Sequence, residues 1–246
     1  MTNTKLIFYW YVHNRDWHYL YDIHIKLLNE YKDRFSEQEF IIATDSDTKQ
    51  EYIDAVLTKL KSIFPNAKFT FYENDKQLRE SKYFYNEIAT KLDQMDDRWY
   101  FFAHNKGVDS HYAPGILCKM WVVGMYYMNL NYPEKILEDM NKPQTCVIGT
   151  YLLHGFMYWP WLTFGWHYSG TFWWFNPKRI SNLMKEKNTS IPKKNDRYFT
   201  ESCWGSCIPD DDLYRKPALG KYDAQWRNKF NWMDPADREK AMSFLN

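Results

Sequence analysis

Apolar positions along the first part of the chain follow two alternating rhythms. Leu6–Val12 is a continuous apolar and aromatic run. It lacks a small-residue cleavage site after it, so it reads as a buried first strand and not as a secretory leader. Trp17–Tyr31 follows, with Leu20, Ile23, His24, Leu27 and Leu28 at helical spacing. Phe40–Ala43 is a short apolar strand ending in Thr44-Asp45-Ser46-Asp47, and Gln50–Phe64 carries Ile53, Val56, Leu57, Leu60 and Phe64 on one helical stripe. Lys68–Tyr72 alternates as a strand, Arg79–Met95 has helical spacing, and Trp99–His104 is again a strand. This strand–helix alternation predicts a mostly parallel central sheet flanked by helices. In such sheets ligands bind beyond the carboxyl ends of the strands. Those ends are His13-Asn14, Asp45-Ser46-Asp47, Glu73-Asn74-Asp75 and His104-Asn105-Lys106-Gly107, all polar as a crevice requires.

The second half changes character. Helices are predicted over Ile116–Met128, Pro133–Met140, Pro177–Lys187 and Tyr198–Cys207, and strands over Thr145–Leu152 and His167–Phe175. The chain after Cys207 reads as an irregular tail packed on the domain. There is no internal repeat and no long linker, and 246 residues suit one large α/β domain.

Composition narrows the function classes. With 32 Lys+Arg against 31 Asp+Glu the net charge is +1, which disfavours a nucleic-acid binder. Aromatic residues make up 20% of the chain, including 12 Trp and 20 Tyr. Such residues fill cores, and they also stack on sugars and nucleobases. The aromatic stretch Gly155–Phe175 contains Pro160, His167 and three glycines, so it is a poor bilayer span and leaves room only for an interfacial contact. Cys118, Cys146, Cys203 and Cys207 show no zinc spacing, and the chain reads as cytoplasmic with free thiols. No Gly-rich phosphate loop with Lys-Ser/Thr is present, which disfavours a P-loop enzyme.

Four constellations could carry chemistry. After the fourth strand, Lys106 and Gly107 can place a cation and backbone N–H groups against a phosphate, or they can form a plain polar turn. In His167-Tyr168-Ser169-Gly170-Thr171-Phe172-Trp173-Trp174 the glycine permits close backbone approach and the Trp pair could wall a sugar site. Alternation lets only one of Trp173 and Trp174 be core on a simple strand, so the other needs a helix, a tail or a ligand to cover it. In Asp196-Arg197-Tyr198-Phe199-Thr200-Glu201, Asp196 can cap the helix, and Glu201 is either a general base for a sugar hydroxyl or a solvated helix charge. Asp45-Ser46-Asp47 and Asp210-Asp211-Asp212 both match the Asp-x-Asp pattern that holds a divalent metal on a diphosphate. Such matches are common by chance; Asp210–Asp212 follows Pro209 and reads as a surface turn.

The stretches His104-Asn105-Lys106-Gly107, Ser169-Gly170-Thr171-Phe172-Trp173-Trp174 and Asp196-Arg197-Tyr198 with Glu201 and Trp204 together resemble a glycosyltransferase-like family of polysaccharide-synthesis clusters and large viruses. The family's pattern is His-Thr-Lys-Gly, Ser-Gly-Asn-Phe-Trp-Trp and Asp-Arg-Tyr followed by Glu and Trp. Asn105 in place of Thr and Thr171 in place of Asn depart from it. The start, Tyr9-Trp10-Tyr11-Val12-His13, is also similar. The resemblance implies a GT-A-like fold in one domain over 1–246. A nucleotide-binding half (1–110) is fused to an acceptor-binding half (111–208), with a tail over 209–246. It implies transfer of a sugar from a nucleotide-diphosphate donor, a UDP-sugar being favoured, to a glycan hydroxyl, with inversion.

On this reading Glu201 is the base. His13, Asn14, Asp45, His104, Asn105, Lys106 and Gly107 hold the donor. Ser169, Gly170, Thr171, Trp173, Trp174 and Arg197 hold the acceptor. Lys106 stands where such folds carry the metal-binding Asp-x-Asp, so no metal or other cofactor is expected, with Asp45 and Asp47 as the fallback metal site. The rival class is a non-catalytic carbohydrate-binding protein, which shares the aromatics but needs no nucleotide crevice. A glycoside hydrolase would need a second carboxylate across the sugar, and only Glu201 has a convincing setting.

Overall fold

A computed structural model describes residues 3–14, 18–105, 116–150, 152–154, 166–168, 170–193, 198–217 and 235–245. The first half follows the predicted alternation closely: β1 (Thr4–Val12), α1 (His18–Tyr31), β2 (Glu37–Thr44), α2 (Gln50–Ile63), β3 (Lys68–Glu73), α3 (Glu80–Tyr83) and β4 (Trp99–His104). The second half adds α4 (Ile116–Leu130), α5 (Pro133–Asn141), β5 (Val147–Gly149), β6 (Leu152–His154), β7 (Trp166–Tyr168), β8 (Trp173–Phe175), α6 (Pro177–Lys187), α7 (Phe199–Cys207), β9 (Arg215–Pro217) and α8 (Pro235–Ser243).

Seven strands form one sheet in the order β3-β2-β1-β4-β8-β5-β9, and β6 and β7 form a separate ribbon. The β1–β2, β2–β3, β1–β4 and β5–β9 pairs are parallel, while β8 runs antiparallel to both β4 and β5. The protein is thus a mixed α/β fold with a mostly parallel central sheet between helical layers. Over β1, β2, β4 and β8 both faces are covered, so these strands are near-continuous apolar runs, whereas edge strand β3 leaves Phe71 exposed. One parity of residues (Phe8, Trp10, Phe40, Ile42, Phe101, Trp174) packs with residues of α1, α2 and α4. The other (Tyr9, Ile41, Ala43, Phe102, Trp173, Phe175) packs with Phe84 and with Phe199 and Trp204 of α7. Among the described residues no helix is long and apolar enough to cross a membrane.

Four expectations need correction. The strand read over Thr145–Leu152 is β5 followed by the start of β6, which lies in a different sheet. The helix read over Arg79–Met95 is a short α-turn, α3, that widens into a π-turn over Phe84–Ile88 and tightens to a 3-10 turn over Ala89–Lys91. The wide turn leaves Phe84 and Ile88 buried, and Phe84 meets Phe102, Trp173 and Trp204. The strand read over His167–Phe175 is two strands in different sheets. Gly170 (φ 108°) and Thr171 (φ 58°) lie between them in the left-handed region and break the extended run. The tail is not wholly irregular: β9 joins the sheet edge, and α8 packs on α4 through the buried Ala241.

Candidate functional site

The parallel register aligns three strand ends. Tyr11 pairs with Ala43 and Ala43 with Tyr72, so Tyr11, Asp45 and Asn74 share one sheet face, Tyr11 near the last rungs and Asp45 and Asn74 just beyond them. Tyr11 Oη donates to Asp45 Oδ2 (2.7 Å), and Asn74 Nδ2 donates to Asp45 Oδ1 (2.7 Å). Tyr9 Oη, one layer below, donates to Asn74 Oδ1 (2.9 Å). Burial, reinforced by the charges of Glu80 and Asp45 and by Tyr72 and Tyr11, pushes the Tyr9 phenol well above its usual range. It therefore stays a donor at any physiological pH.

Around this row the loops after β1, β2 and β3 enclose a cavity of about 340 Å³. That volume is at the lower end for small-molecule sites. Tyr11 comes from the end of β1, His13 and Asn14 from the loop after it, Asp45 and Asp47 from the second loop, and Asn74, Lys76 and Arg79 from the third. Asn14 ties two loops together: its Nδ2 donates to the Asp47 carbonyl (2.6 Å), and its Oδ1 accepts from Lys49 N (2.8 Å). The His13 N–H donates to Tyr21 Oη (2.9 Å). Asp75 Oδ1 accepts from the N–H groups of Gln77 and Leu78 (both 2.9 Å) and shapes the turn that carries Lys76 and Arg79. Those hydrogen bonds are the main reason the Asp75 carboxyl lies below its usual range, assisted by Lys82. Arg79 itself sits at φ 52°, ψ −133°, a conformation that costs a residue with a Cβ.

At the end of β4, His104 is buried and its Nδ1 lies 3.6 Å from Glu80 Oε1. One residue on, the Ser81 hydroxyl meets Thr200 Oγ1 (2.6 Å) and accepts from the Thr200 N–H (3.2 Å). The helix that carries Glu201 is therefore pinned at its first turn to the segment that begins at Arg79. Glu201 is half-buried there. Asn105 departs from its expected role as a donor contact. Its side chain runs beside β1, with Oδ1 accepting from Tyr11 N (2.9 Å) and Nδ2 donating to Tyr11 O (2.8 Å), so its amide serves as one more rung of the sheet.

The acceptor residues are corrected more sharply. Trp173 and Trp174 are both 0% exposed, so neither presents a face to a sugar. Trp173 stacks on Phe102 and meets Trp204, while Trp174 packs on Phe101 and Phe35 and its Nε1 donates to the Asn129 carbonyl (3.2 Å). β8 is an interior strand with helices on both faces, so both parities are core. Gly170 and Thr171 are buried as well, with Gly170 against Met125 and Trp121 of α4; they make a turn, not a sugar contact. Lys106, Gly107, Ser169 and Arg197 lie outside the described residues. Asp210 and Asp212 bind the buried Arg215 (2.6 and 3.0 Å), the surface turn expected of that triplet. Among the described residues no three His, Cys, Asp or Glu side chains group as metal ligands.

Of the expected donor residues, the crevice brings together His13, Asn14 and Asp45, with Asp47 beside them. Tyr11, Asn74, Lys76 and Arg79 line it too, and sequence reasoning did not select them. The signal was present for Asn74, which belongs to a polar strand end. Lys76 and Arg79 gave none, because only the Asp75 turn folds them back to the strand ends. No family model matches the sequence, and no curated protein matches it. One similar solved structure is the crystal structure of 4-diphosphocytidyl-2C-methyl-D-erythritol synthase, with 8% identity, a TM-score of 0.42 and coverage of 100% of both chains. Similarity this slight assigns neither a fold family nor an activity.

Proposed function

We propose that the chain is a GT-A-like glycosyltransferase that takes a nucleotide-diphosphate sugar, a UDP-sugar first among them, and transfers the sugar to a glycan hydroxyl. The observation that carries this reading is the polar cavity across the carboxyl ends of three parallel strands, with carboxylates from the β2 loop and cations from the β3 turn. A nucleoside phosphate has matching parts: hydroxyl and N–H donors for Asp45 and Asp47, and anionic oxygens for Lys76 and Arg79. The burial of Trp173 and Trp174 removes the same sugar wall from this reading and from a purely carbohydrate-binding one, so the crevice is what separates them.

In the proposed reaction Glu201 takes the proton of the acceptor hydroxyl. The acceptor oxygen forms a bond to the anomeric carbon as the bond from that carbon to the diphosphate oxygen breaks. The diphosphate leaves with the electron pair, against Lys106 and neighbouring N–H donors, without a metal. The Ser81–Thr200 contact supports a fixed place for Glu201 relative to the crevice.

The first test is a thermal-shift screen against UDP, GDP, CDP, TDP and their sugars, each with and without EDTA. A ligand at ~100 times its Kd adds ~2.7 kcal/mol, which moves the Tm of a domain this size by about 5–10 °C. A shift with one diphosphate, unchanged by EDTA, is the expected result. Absence of any shift with nucleotides, together with one from oligosaccharides, would sink the proposal. Once a donor is known, Glu201→Gln should keep donor binding and lower turnover by roughly 10²–10⁴-fold.

A further inference from the structure

We propose that Asp45 reads the ribose of the bound nucleotide, accepting its two neighbouring hydroxyls with one carboxylate oxygen each; this rests on the crevice being the nucleotide site. Each oxygen of Asp45 already receives one donor, Tyr11 Oη at Oδ2 and Asn74 Nδ2 at Oδ1. Tyr9 holds the Asn74 carbonyl oxygen, so the Asn74 amide has no alternative but to turn its NH₂ toward Asp45. The backbone is fixed as well: Asp45 N donates to Thr48 Oγ1 (2.8 Å), and Thr48 N donates to Asp45 O (3.0 Å). The carboxylate therefore cannot rotate to suit a ligand.

A carboxylate oxygen can accept two hydrogen bonds, so each oxygen keeps one acceptor direction at the cavity wall. Two fixed acceptors side by side are met in full by a ligand with two adjacent donors. A cis-diol is such a ligand, whereas a lone base N–H fills only one acceptor. A divalent cation fits worse than a diol, because Tyr11 and Asn74 already aim hydrogens at the same oxygens and Lys76 and Arg79 supply positive charge to the same cavity. Asp45 is thus a specificity-determining residue, and the EDTA arm of the test separates this role from the fallback metal role.

The test compares the affinities of UDP, 2′-deoxy-UDP, GDP and 2′-deoxy-GDP by calorimetry. Removing one hydroxyl leaves an acceptor of a charged group unfilled, so the wild-type protein should bind each deoxy form about 10–100-fold more weakly, with or without EDTA. Asp45→Asn and Asp45→Ala should weaken the ribo form and shrink that ratio toward one. Tyr11→Phe, which keeps the carboxylate but frees Oδ2 from its fixed donor, should lower the ratio less than either aspartate variant does. If either aspartate variant fails to fold, the wild-type ratio alone decides. Equal binding of ribo and deoxy forms overturns the inference while leaving the nucleotide site standing. A preference for GDP that ignores the sugar overturns it in favour of a base edge, and a ratio that disappears with EDTA overturns it in favour of a metal. Binding of no nucleotide at all removes both this inference and the proposed function.

Discussion

Arg79 holds φ 52° and ψ −133° on the wall of the crevice, where a glycine would rest without steric cost. Three turns of sequence logic would have placed it in an ordinary helix, since nothing in Leu78-Arg79-Glu80 signals a left-handed residue. What sets it there is the Asp75 turn, whose carbonyl accepts the Arg79 N–H at 2.7 Å. Backbone strain of this kind is worth roughly 1–3 kcal/mol. Arg79→Gly should therefore be more stable than Arg79→Ala by about 1–2 kcal/mol in urea unfolding. The two variants lose the same side-chain charge, so both should bind nucleotide more weakly than the wild type. Equal stability of the two would show that the turn relaxes at no cost. The Trp pair teaches the complementary lesson at this scale. Both indoles were legible as important, and alternation correctly put them on opposite faces. Their exclusion from the site depended on both faces being roofed, which no property of either residue encodes.

At the scale of elements, the open-sheet half was legible because strands and helices there alternate with clean periodicity. β1, β2 and β3 are also stitched near their N-terminal ends by Glu39. Its carboxylate is bound by Lys5 Nζ (2.7 Å), Lys68 Nζ (2.7 Å) and Thr70 Oγ1 (3.1 Å), joining all three strands. Burial pushes the Glu39 carboxyl up, but the two lysines outweigh it and leave the group below its ordinary value. A carboxylate with a depressed folded value stabilises the protein above its unfolded value, and that contribution is lost as pH falls through the folded one. Glu39→Gln should cost about 1–2 kcal/mol near neutral pH, discounted because Lys68 is mostly exposed. The gap between the wild type and the variant should narrow as pH drops below the usual glutamate range near 4. A gap that stays constant with pH would mean the lysines do not act through charge. The π-turn over Phe84–Ile88 was illegible for a different reason. Its sequence has ordinary helical spacing, and the wide turn accompanies contacts of Phe84 with the distant Phe102 and Trp173 that local spacing does not encode.

For the whole molecule, the decisive join is between α7 and the β6–β7 ribbon. Gly205 lies so close to β7 that a Cβ on it would overlap the Trp166 carbonyl oxygen, a backbone atom with no room to yield. Gly205→Ala should therefore destabilise the fold by about 2–4 kcal/mol, near the upper range for single changes. Because α7 also carries Thr200 and Glu201, any Gly205→Ala protein that still folds should lose turnover more than donor affinity. A variant as stable as the wild type would mean that α7 can slide away from β7. A separate contact ties α7 to α3: the polar crevice comes from adjacent parallel strands, whereas the proposed base, Glu201, lies on a helix more than a hundred residues later, pinned through Ser81 and Thr200.

Local sequence was enough to give the class of fold, the first four strands in order, and the polar strand ends His13-Asn14, Asp45–Asp47 and Glu73–Asp75. Each of these is written in local periodicity and local polarity, which need no distant partner to be read. Tertiary structure alone decided that Asn105 is a rung of the sheet, that Trp173 and Trp174 are core, and that Lys76 and Arg79 face the crevice. It also locked Asp45 between Tyr11 and Asn74. These outcomes turn on which strand lies beside which and on what covers each face, and such long-range pairings leave no mark on the local spacing of residues.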